Sequence, residues 1–586
     1  MTVKQYPTRI KTAKREEKNG GAFFLDLDTI EAWIHALPRG SAGKTAQQLF
    51  SGLQDINKIK LDCEDRVDYL ELIREPLFYT MSIMEKHFIG ENFPLTQKQK
   101  KIVSLSKEFC LLMMTGYVIA IEELLEDYKE RRDKNLLGQL IHRSISFLNH
   151  YLLISYQAYM IVPDDIWDKF HKLYLFAEEK KVSDIKITDE KFQYINKTTI
   201  AEEYMRGLLL ATASPYQMRR KEIGNAYINI ERWLDSVKLF HSDESIKSKY
   251  IIVVDLTSNK PVIYGDELKG RRKKNLRIIS IDQLIHKIDH ELQSGEMISS
   301  QTLISANLGD ATLSHDLLKR LQHFWTSKPE SPIKNGKTRQ KVRMTVGISA
   351  THNLALETKQ TGNDIQLFRQ LSDFDDMEVK SIRKKAPLDA MNKDKIFAGN
   401  TQKQVEEWLL INETKGEFCV QNTGNCIQQL QVGEVVGIKY LDERRKDVFI
   451  LGVISWLRVY SDDLIKLGIK LVSASAIPIE VRPVSGDITP DQNQRAFLLP
   501  LRKELSQLSS VFGIPASLRS GAAVAITIYG KEIQVRLTSK LINSGLYSQY
   551  QFEALAKQVV QKKQKARART KKAGSDTGFD DIWDAI

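Results

Sequence analysis

The sequence predicts a multidomain α+β chain: an all-α N-terminal region, a small α/β unit, and a C-terminal half built of antiparallel strands. Three observations predict it. Apolar residues recur at helical spacing from Phe23 to about Phe240. Near Ser248 the pattern shifts to short β-branched runs, Tyr250–Val254 and Leu276–Ile279. Beyond the proline-bearing segment Ser327–Pro332, the apolar runs are strand-length and rich in β-branched and aromatic residues.

Residues 1–22 read as a disordered basic arm. Residues 23–245 form the helical region. Leu37–Ser41 is a turn, and Ala46–Ile59 carries Leu49, Leu53 and Ile56 on one helical face. Val67–Phe88, Gln97–Tyr128, Asn135–Met160, Asp164–Glu179 and Ile200–Leu210 continue the pattern. Short joints between long periodic helices point to a bundle or short solenoid. Residues 246–330 form the α/β unit, with helices at Leu284–Leu292 and Ser314–Trp325 after the two strands. Pro329 and Pro332 exclude helix from the linker that follows.

Residues 331–487 then carry strands at Val342–Ala350, Trp408–Asn412, Phe418–Val420, Val432–Tyr440, Val448–Val459 and Leu467–Val472. A polar stretch, 355–405, interrupts them as an insertion with some helix. Residues 488–556 add strands at Ala496–Leu499, Ala522–Ile528 and Glu532–Leu537. A helix at Tyr550–Gln561 is expected to lead into the tail, 557–586.

The net charge of +12 is concentrated in Lys4–Lys18 and Lys557–Lys572, as solvated tails often carry it. Four cysteines, none in a CxxC pair and none with a histidine at ligand spacing, argue against a disulfide framework or a zinc site. The N-terminus lacks the apolar core of a secretory signal. The most apolar runs, Phe109–Ile121 and Tyr151–Val162, fall short of the ~20 residues a bilayer span needs. A cytoplasmic location is the expectation.

One motif carries a function. Arg339-Gln340-Lys341-Val342-Arg343 places two arginines four residues apart on the entry to a strand. Guanidinium offers a planar fork that pairs bidentately with phosphate and also stacks on or pairs with guanine. Downstream follow Trp408-Leu409-Leu410-Ile411-Asn412-Glu413-Thr414-Lys415-Gly416, the Val432-Gly433-Glu434 turn, Leu451–Trp456, and Leu467-Gly468-Ile469-Lys470-Leu471-Val472. In that order the segment 331–485 resembles a PilZ domain, the β-barrel family of cyclic-di-GMP receptors. The resemblance implies that Arg339 and Arg343 hold the phosphates and guanines of cyclic di-GMP. It implies that Asn412 and Thr414 bond a guanine edge, and that Gly416 lets the backbone approach closely. Thr414 replaces the family's usual serine, and Gly416 falls one residue early. Asn422-Thr423-Gly424-Asn425 is a second alignment, which reads more naturally as a turn.

Other signals carry less. Gly40-Ser41-Ala42-Gly43-Lys44-Thr45 lacks the leading glycine of a phosphate loop, since Pro38 stands there; Ser41 is expected to cap the next helix. Glu553-Ala554-Leu555 spells a cyclic-di-GMP phosphodiesterase signature but is expected on the C-terminal helix, without that enzyme's metal carboxylates. His35, His87, His142 and His150 read as packing or surface residues, and Glu122-Glu123 and Asp164-Asp165 as non-catalytic pairs. Phe579, Ile582, Trp583 and Ile586 share one helical face rimmed by aspartates, suited to docking in a partner's groove or back on this chain.

The leading expectation is therefore a non-enzymatic cyclic-di-GMP effector with no cofactor or metal. It would act on motility, pili or adhesion through unidentified protein partners of the helical half and Phe579–Ile586. A scaffold or chaperone-like protein with a degenerate barrel is the alternative. Nucleic-acid binding through the basic tails comes third.

Overall fold

The computed structural model describes residues 10–16, 27–90, 92–190, 196–242, 244–294, 313–327, 339–357, 405–500 and 509–555. Left out within those spans are 415, 425, 444, 446, 447, 462, 463, 485–492, 515–517, 529 and 530. The prolines of the linker, most of the insertion, the tail beyond 555 and Phe579–Ile586 lie outside the described residues. The chain forms two compact units, residues 1–332 with 456–466, and residues 333–455 with 467–586.

In the first unit the helices are α1 (Leu27–His35), α2 (Ala42–Lys58), α3 (Cys63–Ile89), α4 (Gln97–Leu124), α5 (Glu130–Gln157) and α6 (Asp164–Glu179). A two-stranded ribbon, β1 (Ile187–Thr188) with β2 (Lys197–Thr198), precedes α7 (Ile200–Thr212) and α8 (Arg220–Trp233). Thr96 and Thr199 start α4 and α7 with capping boxes, each bonded reciprocally to the residue three further on. By length and apolarity Gln97–Asp127 would pass as a membrane span, although its apolar runs in the sequence are short. Its side chains have another destination: Val103, Phe109, Met113, Tyr117 and Ile121 are buried at the centre of the helices, where α4 packs on α3 and α5.

Ser41 precedes α2 but its side chain makes no cap bond, contrary to expectation; Thr45 Oγ1 instead donates to the Pro38 carbonyl at 2.8 Å. The paired carboxylates are used structurally. Glu122 accepts from Thr12 and Arg15, and Glu123 takes the buried Arg66 fork at 2.7 and 2.8 Å. His142 and His150 are packing residues, and burial lowers their imidazoles to about 3 and about 4.

The α/β part joins the same unit. Its antiparallel sheet has the order β3 (Lys238–His241), β5 (Leu276–Ser280), β4 (Ile251–Asp255), with α9 (Asp282–Ser294) and α10 (His315–Thr326) after it. Arg277 ties this sheet to Glu178 of α6, and Trp325 Nε1 donates to the Leu209 carbonyl of α7 at 3.2 Å.

The second unit opens with β6 (Gln340–Val346). The expected single strand Val342–Ala350 is not formed. Gly347, at φ 89°, ends β6, and α11 (Ile348–Leu356) begins at once. There follow β7 (Glu406–Glu413), β8 (Glu417–Asn422), β9 (Val435–Tyr440), β10 (Phe449–Ser461) and β11 (Leu464–Ser473). These close into a barrel of order β10-β11-β8-β7-β6-β9. The outer ends of β10 and β11, residues 456–466, cluster with the first unit.

The extra strands form a second closed barrel. It consists of β12 (Ile477–Pro483), β13 (Gln494–Leu499), β14 (Ser510–Ile514), β15 (Ala523–Ile528), β16 (Lys531–Asn543) and β17 (Ser548–Ala554), in the order β12-β13-β14-β17-β16-β15. The helix expected from Tyr550 is therefore strand β17 through Ala554, and Glu553-Ala554 lies on it. Tyr550 and Phe552, two apart, both pack into the barrel core, a strand period that a helix would not keep. A second cluster joins Leu354 of α11, Phe449 and Leu451 of β10, and Phe497 and Phe512 of the second barrel.

Gly452 of β10 is required by packing: an added Cβ would meet Ile469 Cγ2 at 2.5 Å and the Lys470 carbonyl at 3.1 Å. Gly452→Ala is expected to lower stability by about 1–3 kcal/mol through overpacking. The check is the shift in urea midpoint, with tryptophan fluorescence as the readout.

Candidate functional site

Antiparallel registry decides which loops of the first barrel meet. Gln340 pairs with Leu410, Val342 with Tyr440, and Lys439 with Phe449. The Leu471 amide donates to the Gly416 carbonyl at 2.8 Å. The start of β6, the β7–β8 turn, the β9–β10 turn and the end of β11 therefore share one rim.

Strand alternation then aims the side chains. Val342 and Met344 fill the barrel, so Lys341 and Arg343 face out. Arg339, one residue ahead of β6, is exposed at the rim with no ion-pair partner among the described residues. Arg343 lies opposite Glu407 of β7 and Lys439 of β9, and pairs with Glu357 after α11 at 3.0 Å.

On β7, Trp408 and Leu410 point inward and are fully buried. Strict alternation would send Asn412 inward too. A β-bulge prevents this: Leu410 pairs with Val420 but Asn412 with Cys419, leaving Ile411 as the extra residue. The bulge turns Asn412 and Thr414 outward and Glu413 over the mouth. Asn412 Oδ1 accepts from the Glu413 amide at 2.8 Å. Thr414 Oγ1 accepts the Glu417 amide at 3.0 Å and so pins the turn. Gly416 is exposed, and a Cβ there would meet nothing within 4 Å.

The fold thus brings Arg339 to the same rim as Asn412, Thr414 and Gly416. Arg343 sits about 13 Å further along the extended chain. The second alignment falls at the other end of β8, where Asn422 closes its own turn on the Gly424 carbonyl at 2.7 Å.

Sequence reasoning missed a polar cluster on this rim. Arg445, in the β9–β10 turn, donates to Gln340 Oε1 at 2.8 Å and to Glu413 Oε2 at 3.0 Å. Its guanidinium lies 3.9 Å from the centre of the Tyr440 ring. The Tyr440 hydroxyl donates to Glu413 Oε1 at 2.8 Å, and burial together with that carboxylate pushes the phenol well above its usual range. Burial opposes ionisation of Asp442, but hydrogen bonds from Gln340 and Arg445 hold its carboxyl below the ordinary value. The only sequence signal was the charged run Asp442–Arg445, separated from Tyr440 by one residue, which does not say where Arg445 points. Among the described residues, no group of histidine, cysteine or acidic side chains could hold a metal.

Thr414→Ala is expected to cost about 1 kcal/mol of barrel stability through the lost turn bond, whereas Thr414→Ser keeps it. Paired denaturant titrations check the difference.

Comparison with known proteins covers nearly the whole chain. Family models described as the N-terminal domain, the middle PilZ domain and the C-terminal beta-barrel domain of the cyclic-di-GMP receptor FimW match in that order. They match residues 28–243, then 251–374 and 355–478, then 479–555. A curated relative, cyclic-di-GMP receptor FimW of Pseudomonas aeruginosa, is 22% identical over 556 residues, 90% of each chain. A solved structure, the Bacillus subtilis inhibitor of motility (MotI/DgrA), matches 29% of this chain and 91% of its own. Its identity is 10% and its TM-score 0.10, too low to bear on the site. With helical region, PilZ barrel and terminal barrel in the same succession, this chain belongs to the PilZ-domain family.

Proposed function

We propose that this chain binds cyclic di-GMP at the rim of its first barrel and relays that binding to protein partners acting on motility, pili or surface adhesion. One observation carries the reading: the Ile411 bulge turns Asn412 and Thr414 outward on the rim where Arg339 stands exposed and unpaired among the described residues. An exposed fork beside the Asn412 amide is the donor set we assign to phosphate and a guanine edge; the Thr414 hydroxyl, which donates to the Glu417 carbonyl at 3.1 Å, would join it by giving up that bond. The receptor description of the relative matched along the chain supports the same ligand.

The chemistry at this rim is recognition, so we read the protein as non-enzymatic, with no cofactor, working in the cytoplasm. Binding at the rim would reach the rest of the molecule through β10 and β11, which begin and end in the barrel but carry residues 456–466 in the first unit. Only a difference in affinity between two arrangements can drive such a response. The helical half and Phe579–Ile586 are the surfaces we assign to partners. A scaffold with a silent barrel is favoured by one fact, the engagement of Arg343 by Glu357.

Calorimetry with cyclic di-GMP decides between them. Wild type is expected to bind with a Kd on the order of micromolar or tighter. Arg339→Ala and Arg343→Ala should each weaken it about tenfold or more, and the double variant should abolish it. Silence in the wild type establishes the scaffold reading instead.

A further inference from the structure

We propose that Arg445 is a third anion-binding guanidinium of this site, and that Glu413 is an internal competitor which a phosphate of the cyclic dinucleotide displaces from it. The inference rests on the reading of the rim as the cyclic-di-GMP site.

Placement comes first. Arg445 bonds the side chains of Gln340 and Glu413. Gln340 is the chain neighbour of Arg339, and Glu413 stands between Asn412 and Thr414. Arg445 therefore bridges the two halves of the site across the mouth. Arg339, Asn412 and Thr414 face outward and Arg445 lies on the mouth side of the same rim, so a ligand that reaches over the rim from those residues toward the mouth meets this guanidinium.

Exchangeability comes second. The Arg445 and Glu413 side chains are 37% and 33% exposed. An ion pair so open to water is weak and readily replaced. A phosphate offers the same charge and, as Glu413 does, two oxygens to Arg445 Nη1, with Nη2 held by Gln340. The guanidinium stays in place when Glu413 leaves, because the Tyr440 ring and Gln340 Oε1 still hold it, Asp442 Oδ2 remains 3.5 Å from its Nε, and the Arg445 amide stays bonded to Asp442 Oδ1 at 2.7 Å. A donor held in advance lowers the ordering cost of binding. Arg343 shows the same arrangement, its fork taken by Glu357 at 3.0 Å. Two of the three arginines thus already carry a carboxylate of this chain in the position of an anion.

The test is calorimetry with cyclic di-GMP at fixed ionic strength on wild type, Glu413→Gln, Arg445→Ala and the double variant, with melting temperatures alongside. Arg445→Ala should weaken binding about tenfold. Glu413→Gln should tighten it roughly three- to fivefold. The double variant should bind like Arg445→Ala, because the gain exists only while Arg445 is there to be freed. If wild type binds but Arg445→Ala binds equally well, Arg445 only caps the barrel and the proposal fails while the receptor reading stands. A Glu413→Gln gain that persists without Arg445 also overturns it, as a general charge effect. If Arg445→Ala melts too early to titrate, Arg445→Lys takes its place: it keeps the charge and loses the fork, and unchanged affinity refutes the proposal. No binding by wild type overturns both readings.

Discussion

Six antiparallel strands that close on themselves place the entry of β6, the β7–β8 turn and the β9–β10 turn on one rim, because each antiparallel step reverses the chain. Arg339, Asn412 and Arg445 are far apart in sequence, and the pairing of β6 with both β7 and β9 gathers them without any local signal linking the three. The inward residues Val342, Met344, Trp408 and Leu410 hold that closure, each buried to 0% exposure. The site is thus a by-product of how the barrel fills its interior. Its outward residues are not needed to fill the barrel, because the inward ones meet the packing demand.

Within that frame one extra residue does the aiming. A strand has a period of two, so a single insertion reverses the facing of everything beyond it. Ile411 is that insertion on β7, and it sends Asn412 and Thr414 out while bringing Glu413 over the mouth. The same event supplies ligand-type donors and places a carboxylate within reach of Arg445. The proposed recognition and the proposed competition would thus share one structural origin. The charges there pair among themselves in the open, unlike the Arg66–Glu123 pair of the helical unit, where removing one partner would strand a buried charge.

Much of this was legible from residue patterns. The helices appeared where 3.6-residue periodicity predicted them, α6 at its predicted bounds and α4 and α5 close to theirs. The sheet strands β4 and β5 followed from β-branched runs. The errors have local causes. Val342–Ala350 is continuously strand-like in composition, and only Gly347 marks the break. Tyr550–Gln561 looks helical because its apolar spacing is ambiguous over so few residues, yet Tyr550 and Phe552 answer to the second barrel's core. Arg445 was invisible, since a charged turn after a strand is ordinarily a solvated one.

The amino-acid sequence by itself determined most element types, the order of the helical and strand regions, and the Arg339–Arg343 pair, since periodicity and side-chain chemistry are local properties of the chain. Tertiary structure alone decided that the extra strands close a second barrel, that Asn412 faces the side on which Arg339 stands, and that Arg445 and Glu413 meet at the mouth. Those outcomes depend on register and ring closure, which are set by long-range pairing between strands and leave no mark on any short stretch of residues.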